Sequence, residues 1–312
     1  MSKVLWKQPQ FLIGALLVLS LLGLSLVYPL FSEPPEEVKY LYKDGKLVDV
    51  APFSPSQVPP FGTDRFGRNL LSLVISGAKY TLLITIAIAL IRVIVAGVLA
   101  IFYHQYNKKL RPMFEDIIES TLFVPASILG YLLMAPLAVK QAQEGTSFFE
   151  IVLIQSIILI LIGVPPLISV FSKDMSMITR KEHIVSTLSL GAKHRYVYVK
   201  HVLPEMASRF LLVTAQQIIQ VMILLAHLGV LLIFLGGVKT ILDGDLLSTH
   251  KVFVSLSGEW SGLIGNNFQE IVHSPHVVLI PLAFFSLTIF SMNLIINGMQ
   301  NAMKHKERGR GI

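Results

Sequence analysis

The residues of this 312-residue chain that could do chemistry are few, and they stand in unusual places. Gln216, Gln220 and His227 fall at intervals of four and seven within a long apolar run, so they share one face of a helix. Arg92 and Asn293 interrupt two other apolar runs. Polar groups in such positions face protein or water rather than lipid. They act there either as hydrogen-bond partners between helices or as the lining of a polar pathway. A second concentration is the basic stretch from Lys173 to Arg209, which lies between two apolar segments.

Bond-making chemistry has little to work with. The absence of cysteine excludes disulfides, thiol nucleophiles and Cys-based metal sites. There is no Gly-x-Ser-x-Gly, no His-Glu-x-x-His and no pair of intramembrane aspartates, so an intramembrane enzyme is not indicated. Asp243, Asp245 and Glu259 lack the spacing of a calcium loop, and no metal site is expected. The chain also lacks Gly-x-x-x-x-Gly-Lys-Ser/Thr, the backbone cradle for nucleotide phosphates; any ATP hydrolysis would belong to another chain.

The elements that must hold these residues are membrane-spanning helices. The chain is 53% hydrophobic and 14% charged, with mean hydropathy +0.67; a soluble domain of this size carries about 25% charge. About 20 mainly apolar residues cross the hydrocarbon core. Six segments qualify, at 11–31, 80–103, 114–138, 149–171, 210–235 and 277–299. The third is weakest, because Glu115, Asp116 and Glu119 load its start. Lys3 and Lys7 precede the first run as in a signal peptide, but no small-x-small cleavage site follows, so it reads as a retained helix.

With the N-terminus inside, segments 1–10, 104–113, 172–209 and 300–312 hold 2, 3, 7 and 4 basic residues, or 16 of the 26. Nine lie outside, six of them between Lys39 and Lys79, on a long external segment whose residues 32–79 also hold six acidic residues. This asymmetry puts both termini and the 173–209 loop in the cytoplasm. It also accounts for the net charge of +7 without nucleic acid, for which no aromatic-basic module is present. The expectation is an all-α integral membrane protein of the cell membrane. It has an N-terminal helix (1–31), an external segment (32–78), a transmembrane domain (79–303) with a cytoplasmic loop at 172–209, and a basic tail (304–312).

The early part of the external segment, rich in proline and charge, reads as irregular. Gly62 to Asn69 is a compact polar turn, which Thr63 or Asp64 would use to cap an interfacial helix 70–78 ahead of the second span. In the last external loop, Trp260 reads as an aromatic anchor at the membrane surface.

Inside the basic loop, Thr179-Arg-Lys-Glu182 has capping-box spacing for a helix over 180–190. Ile184, Leu188 and Val185 would lie on one side of it. Gly191 permits a left-handed turn, and a second amphipathic piece, 192–202, runs to Leu203-Pro204, where the next span restarts. Such a helix–Gly–helix knuckle fits either a lipid-surface hairpin or a docking surface for a cytosolic partner.

Resemblance separates the two. Gly191, with Leu203-Pro204 twelve residues on, resembles the "EAA" cytoplasmic loop of ABC-importer permeases, with Val185-Ser186-Thr187 in place of Glu-Ala-Ala. Gly62-Thr-Asp-Arg-Phe-Gly-Arg-Asn69 followed by Ser76-Gly-Ala-Lys-Tyr-Thr-Leu82 resembles the "G-T-D-x-x-G-R-D … G-A-R-x-S-L" run. That run marks C-type permeases of dipeptide, oligopeptide and nickel importers. Glu259-Trp260, Ser274-Pro275, Pro281, Asn293 and Gly298 resemble that family's last loop and last span, with Gln300-Asn301 replacing Arg-Asp, and Glu119 to Pro125 resembles the opening of its third span.

The resemblance covers roughly residues 60–303. It implies a type I ABC importer permease fold, six helices paired with a second, homologous permease chain, two cytosolic ATPases carrying ATP and Mg, and an extracytoplasmic solute-binding protein. Ile184, Val185, Ser186, Thr187, Leu188, Leu190, Gly191, Ala192, Leu203 and Pro204 would then couple to an ATPase. Gln216, Gln220, His227 and Asn293 are the pathway candidates. The cargo expected is an oligopeptide or dipeptide, with nickel or a metallophore as the alternative. A stand-alone secondary transporter would show internal repeats or broken helices, and neither is evident.

Overall fold

The computed structural model describes residues 5–32, 36–106, 118, 120–121, 123–144, 147–245 and 248–308. Its frame is helical. The long helices are α1 (Pro9–Phe31), α2 (Leu70–Tyr106), α4 (Phe148–Thr179), α7 (Leu203–Val230) and α9 (His276–Arg308). Five helical stretches among the described residues are long and apolar enough to cross a membrane, α7 being extended back to His194. Where a third span is expected at 114–138, α3 (Ala126–Glu144) is described, and its apolar part, Ala126–Val139, is shorter than a full crossing. The acidic start of that span, Glu115, Asp116 and Glu119, lies outside the described residues.

The purely helical expectation is corrected by two antiparallel hairpins. One pairs β1 (Tyr40–Lys43) with β2 (Lys46–Val50), inside the segment read as irregular. Its turn, Asp44-Gly45, has positive φ at both residues, as a tight two-residue hairpin demands. The other pairs β3 (Val238–Asp245) with β4 (Ser248–Ser255).

Residues 70–78 and the second span form one continuous helix, α2. Its cap is Asn69, whose Oδ1 accepts from the N–H groups of Leu71 (3.0 Å) and Ser72 (3.3 Å). Asp64 is occupied otherwise: Oδ1 takes the N–H of Phe66 and Arg68, and Oδ2 takes Arg68 Nε and Nη2. Thr63 Oγ1 accepts from Phe53 N–H at 2.9 Å.

Trp260 opens the short helix α8 (Trp260–Asn266) and is 0% exposed, so it is not a membrane-surface anchor. Its indole Nε1 donates to Val74 O on α2 at 2.7 Å, and its backbone N–H donates to Thr81 Oγ1 at 3.1 Å. Glu259 caps α8, accepting from Ser261 and Gly262 N–H. The polar turn and the Glu259-Trp260 pair are thus architecture, the first feeding α2 and the second clamping its start.

The first core cluster joins α1, α2, α7, α8 and α9 around Trp260, Leu82 and Met222. Helices α1 and α9 meet closely, Gly14 lying under Ser291 O and Gly298 under Phe11, as small residues allow between spans. The hairpin end of the molecule includes the Gly62–Asn69 turn and the start of α9, where His276 Nε2 lies 3.1 Å from Phe53 O. At the other end, Asn301 donates to Gln10 Oε1, and Met303 borders the same cavity as Lys181 and Lys200.

Candidate functional site

Two places gather the residues singled out above. The first is the knuckle. Helix α4 runs on to Thr179, whose hydroxyl donates to Ser176 O rather than capping a new helix. The capping box therefore does not form, and α5 (Glu182–Ser189) begins after Lys181 with no side-chain cap. It ends in a Schellman turn: Ala192 N–H donates to Thr187 O and Gly191 N–H to Leu188 O. Gly191 has φ +90°, and a Cβ there would meet open space, so the backbone angle alone calls for glycine.

After Gly191 the chain forms α6 (His194–Val197) and then a π-helical stretch, Tyr198–Val202, which passes into α7 without a break. The restart expected at Pro204 is a shift of helical pitch instead. Proline has no N–H to return to the preceding turn, and local widening absorbs the missing bond.

The knuckle has two faces. Ile184 is 0% exposed and packs with Val202, Phe171, Met175, Val93 and Ala96, a cluster shared by α2, α4 and the α6–α7 stretch. Leu188 and Ala192 pack partly against it. On the outer face Val185 is 48% and Leu190 89% exposed, so Val185 does not share the side of Ile184. Ser186 is exposed, and the Thr187 hydroxyl turns back to His183 O. Leu203 is half-buried and Pro204 exposed. Two ion pairs close the base of the knuckle, Lys181 with Glu205 and Arg209 Nε with Asp174 Oδ2 at 2.8 Å.

The second place is intramembrane. Arg92 of α2 is 2% exposed and has no acidic partner among the described residues. Nε donates to Leu159 O on α4 at 3.0 Å, Nη2 donates to the same oxygen, and Nη1 donates to Gln217 Oε1 on α7 at 3.2 Å. Gly163 makes room, because a Cβ there would strike the guanidinium. Gln217 Nε2 passes the chain on to Gln220 Oε1 at 2.8 Å. Arg92, Gln220 and His227 line one cavity of about 350 Å³ with Ser127 and Gly163. Gln216 is half-buried outside that lining, and Asn293 is exposed on α9, so the structure brings together two of the four pathway candidates.

Sequence reasoning missed Gln217, the buried neighbour of Gln216, and Gln155. The latter sits within α4 and ties down the chain after α7, donating to Phe234 O and accepting from Gly236 N–H. A polar residue within an apolar run was the available signal for both.

Residues 93–309 match the model of the binding-protein-dependent transport system inner membrane component family. The chain belongs to this family. It is a multi-pass protein of the cytoplasmic membrane and the permease component of an ABC importer, a non-catalytic part of a system that includes ATPase and binding-protein partners. The oligopeptide transport system permease protein OppC of Haemophilus influenzae is 24% identical over 260 residues, covering 80% of this chain and 70% of that one. OppC of Bacillus subtilis is 21% identical over 303 residues, covering 95% and 86%. The glutathione transport system permease protein GsiD of Pectobacterium atrosepticum is 23% identical over 256 residues, covering 81% and 74%.

Proposed function

We propose that this permease forms half of the pathway of a peptide importer, beside a second, homologous permease chain, and that its knuckle seats in a groove on one of two cytosolic ATPases. The observation that carries the coupling role is the two-faced knuckle. Its inner residue Ile184 shares a core with three spans, while Leu190 and Val185 face outward as apolar contacts. Closure of an ATPase around the outer face would be felt directly by α2, α4 and α7, because close-packed interiors transmit displacement. The charge count supports a cytoplasmic side for this end, where both α1 and α9 also have their outer termini.

Peptide as cargo is supported by the relatives named for oligopeptide and glutathione transport. The intramembrane site agrees: an arginine with no counter-charge among the described residues opposes a bare divalent cation, which argues against nickel as a free ion. Gln220 and His227 are the pathway residues this reading retains.

The test is Leu190→Asp in the importer assembled with its partner chains. Leu190 touches little of its own fold, so membrane content and melting temperature should match the wild type. Uptake of a labelled oligopeptide, and stimulation of ATPase activity by the loaded binding protein, should both fall at least about tenfold, the scale of losing an apolar anchor from an interface. Survival of both activities overturns the assignment.

A further inference from the structure

The cavity between α2, α3, α4 and α7 is lined by Arg92, Ser127, Gln220 and His227. We propose that it is a carboxylate-binding station for the cargo, in which Arg92 takes the C-terminal carboxylate of a peptide in transit. This rests on the peptide-import reading above and gives that pathway a chemical preference.

Direction along the hydrogen-bond chain follows from elementary chemistry. A guanidinium only donates, so Gln217 must offer Arg92 its oxygen. The Gln217 NH₂ then goes to the Gln220 oxygen, and Gln220 is left with its own NH₂ as a donor at the cavity. Three guanidinium N–H bonds go to Leu159 O and Gln217, leaving two of the five unassigned.

The opposite wall contributes independently. Pro125, Ala126 and Ser127 at the start of α3 line the same cavity. The first backbone bonds of that helix are those of Ile128 and Leu129 to Pro125 O, so the amides of Ala126 and Ser127 precede the ladder at its positive end. Among the described residues no acidic side chain lines the space. A charge buried in a span is costly unless something neutralises it, and here neutral oxygens hold the guanidinium in place while no described residue matches its charge. A cavity of about 350 Å³ is within the range of small-ligand sites, about 300–1,000 Å³, and is far larger than a lone partner side chain requires.

The experiment uses proteoliposomes of the complete importer with saturating binding protein, and compares uptake of tri-alanine with that of tri-alanine amide. Arg92→Gln should lower uptake of the acid about tenfold or more, the effect of one charge-assisted pair, and leave the amide within about twofold, so the acid-to-amide ratio collapses. Arg92→Lys should keep much of the ratio. Gln220→Glu, which gives Arg92 a carboxylate of the chain's own, should depress the acid more than the amide. It decides the question should Arg92→Gln fail to assemble. An unchanged ratio in the assembled variants means that Arg92 is only a brace and overturns the proposal. So does an Arg92→Gln chain that no longer pairs with the second permease while Arg92→Lys does, because the counter-charge would then come from that chain. Failure of the wild-type complex to carry either peptide overturns the peptide reading itself.

Discussion

Arg92, Glu259 and Trp260 show how far residue type alone carries. An arginine in an apolar run announces a special environment, and among the described residues that environment holds carbonyl and amide oxygens rather than an acid. Glu259 is a fully buried carboxyl outside the spans. Burial pushes its pKa up, against the opposing hydrogen bonds from Ser261 and Gly262. A carboxyl whose folded pKa exceeds its unfolded one contributes most to stability below the unfolded value, and the contribution is lost as pH rises from there through the folded pKa. Melting temperature in detergent is therefore expected to decline as pH is raised through and above the ordinary carboxylate range. Glu259→Gln, which keeps an oxygen for the α8 amides, should flatten that decline. An identical slope in wild type and variant would show that Glu259 is not its source. Trp260 was read outward because its neighbours are polar; its indole N–H instead found Val74 O, a partner 186 residues away in sequence.

At the scale of elements, the knuckle was legible as two short pieces around Gly191, because a left-handed residue leaves a local mark. Its base was not. The Thr179–Glu182 pattern fits a capping box, but α4 runs on to Thr179, and the new helix starts only at Glu182, with Lys181 as its N-cap. Two ion pairs hold the base: Asp174–Arg209 joins α4 to α7, and Lys181–Glu205 ties the start of α5 to α7. Arg209 is more than a third exposed, so solvent screens its pair with Asp174, and Arg209→Gln should cost no more than about 1 kcal/mol of global stability. Amide exchange in α5 should nonetheless rise by about fivefold, the factor matching that energy. No change in α5 protection would mean that the ion pair does not brace the knuckle.

At the scale of the molecule, the arrangement has two chemically distinct ends. Hairpin, polar turn and α8 occupy one; the knuckle and the outer termini of α1 and α9 occupy the other. Because the chain has no cysteine, single substitutions report sidedness without background. Tyr42→Cys at the exposed β1 strand should react with a membrane-impermeant maleimide on intact cells. Leu190→Cys should react only after permeabilisation. The reverse pattern would invert the orientation derived from Lys and Arg.

The sequence by itself determined the class of molecule and the order of its spans. Hydrophobic length and charge asymmetry are properties of contiguous residues, and Gly191 and the Gly62–Asn69 turn act through local backbone geometry. Tertiary structure decided which polar residues matter. Gln217 rather than Gln216 meets Arg92, Gln220 and His227 share its cavity, and Asn293 stands apart, because facing depends on where α2, α4 and α7 cross. It decided the knuckle's double character in the same way: Ile184 is inward and Leu190 outward because α5 packs against α4, α7 and the sequence-distant α2. Resemblance pointed to the loop, and packing joins its short helix to the spans beneath it.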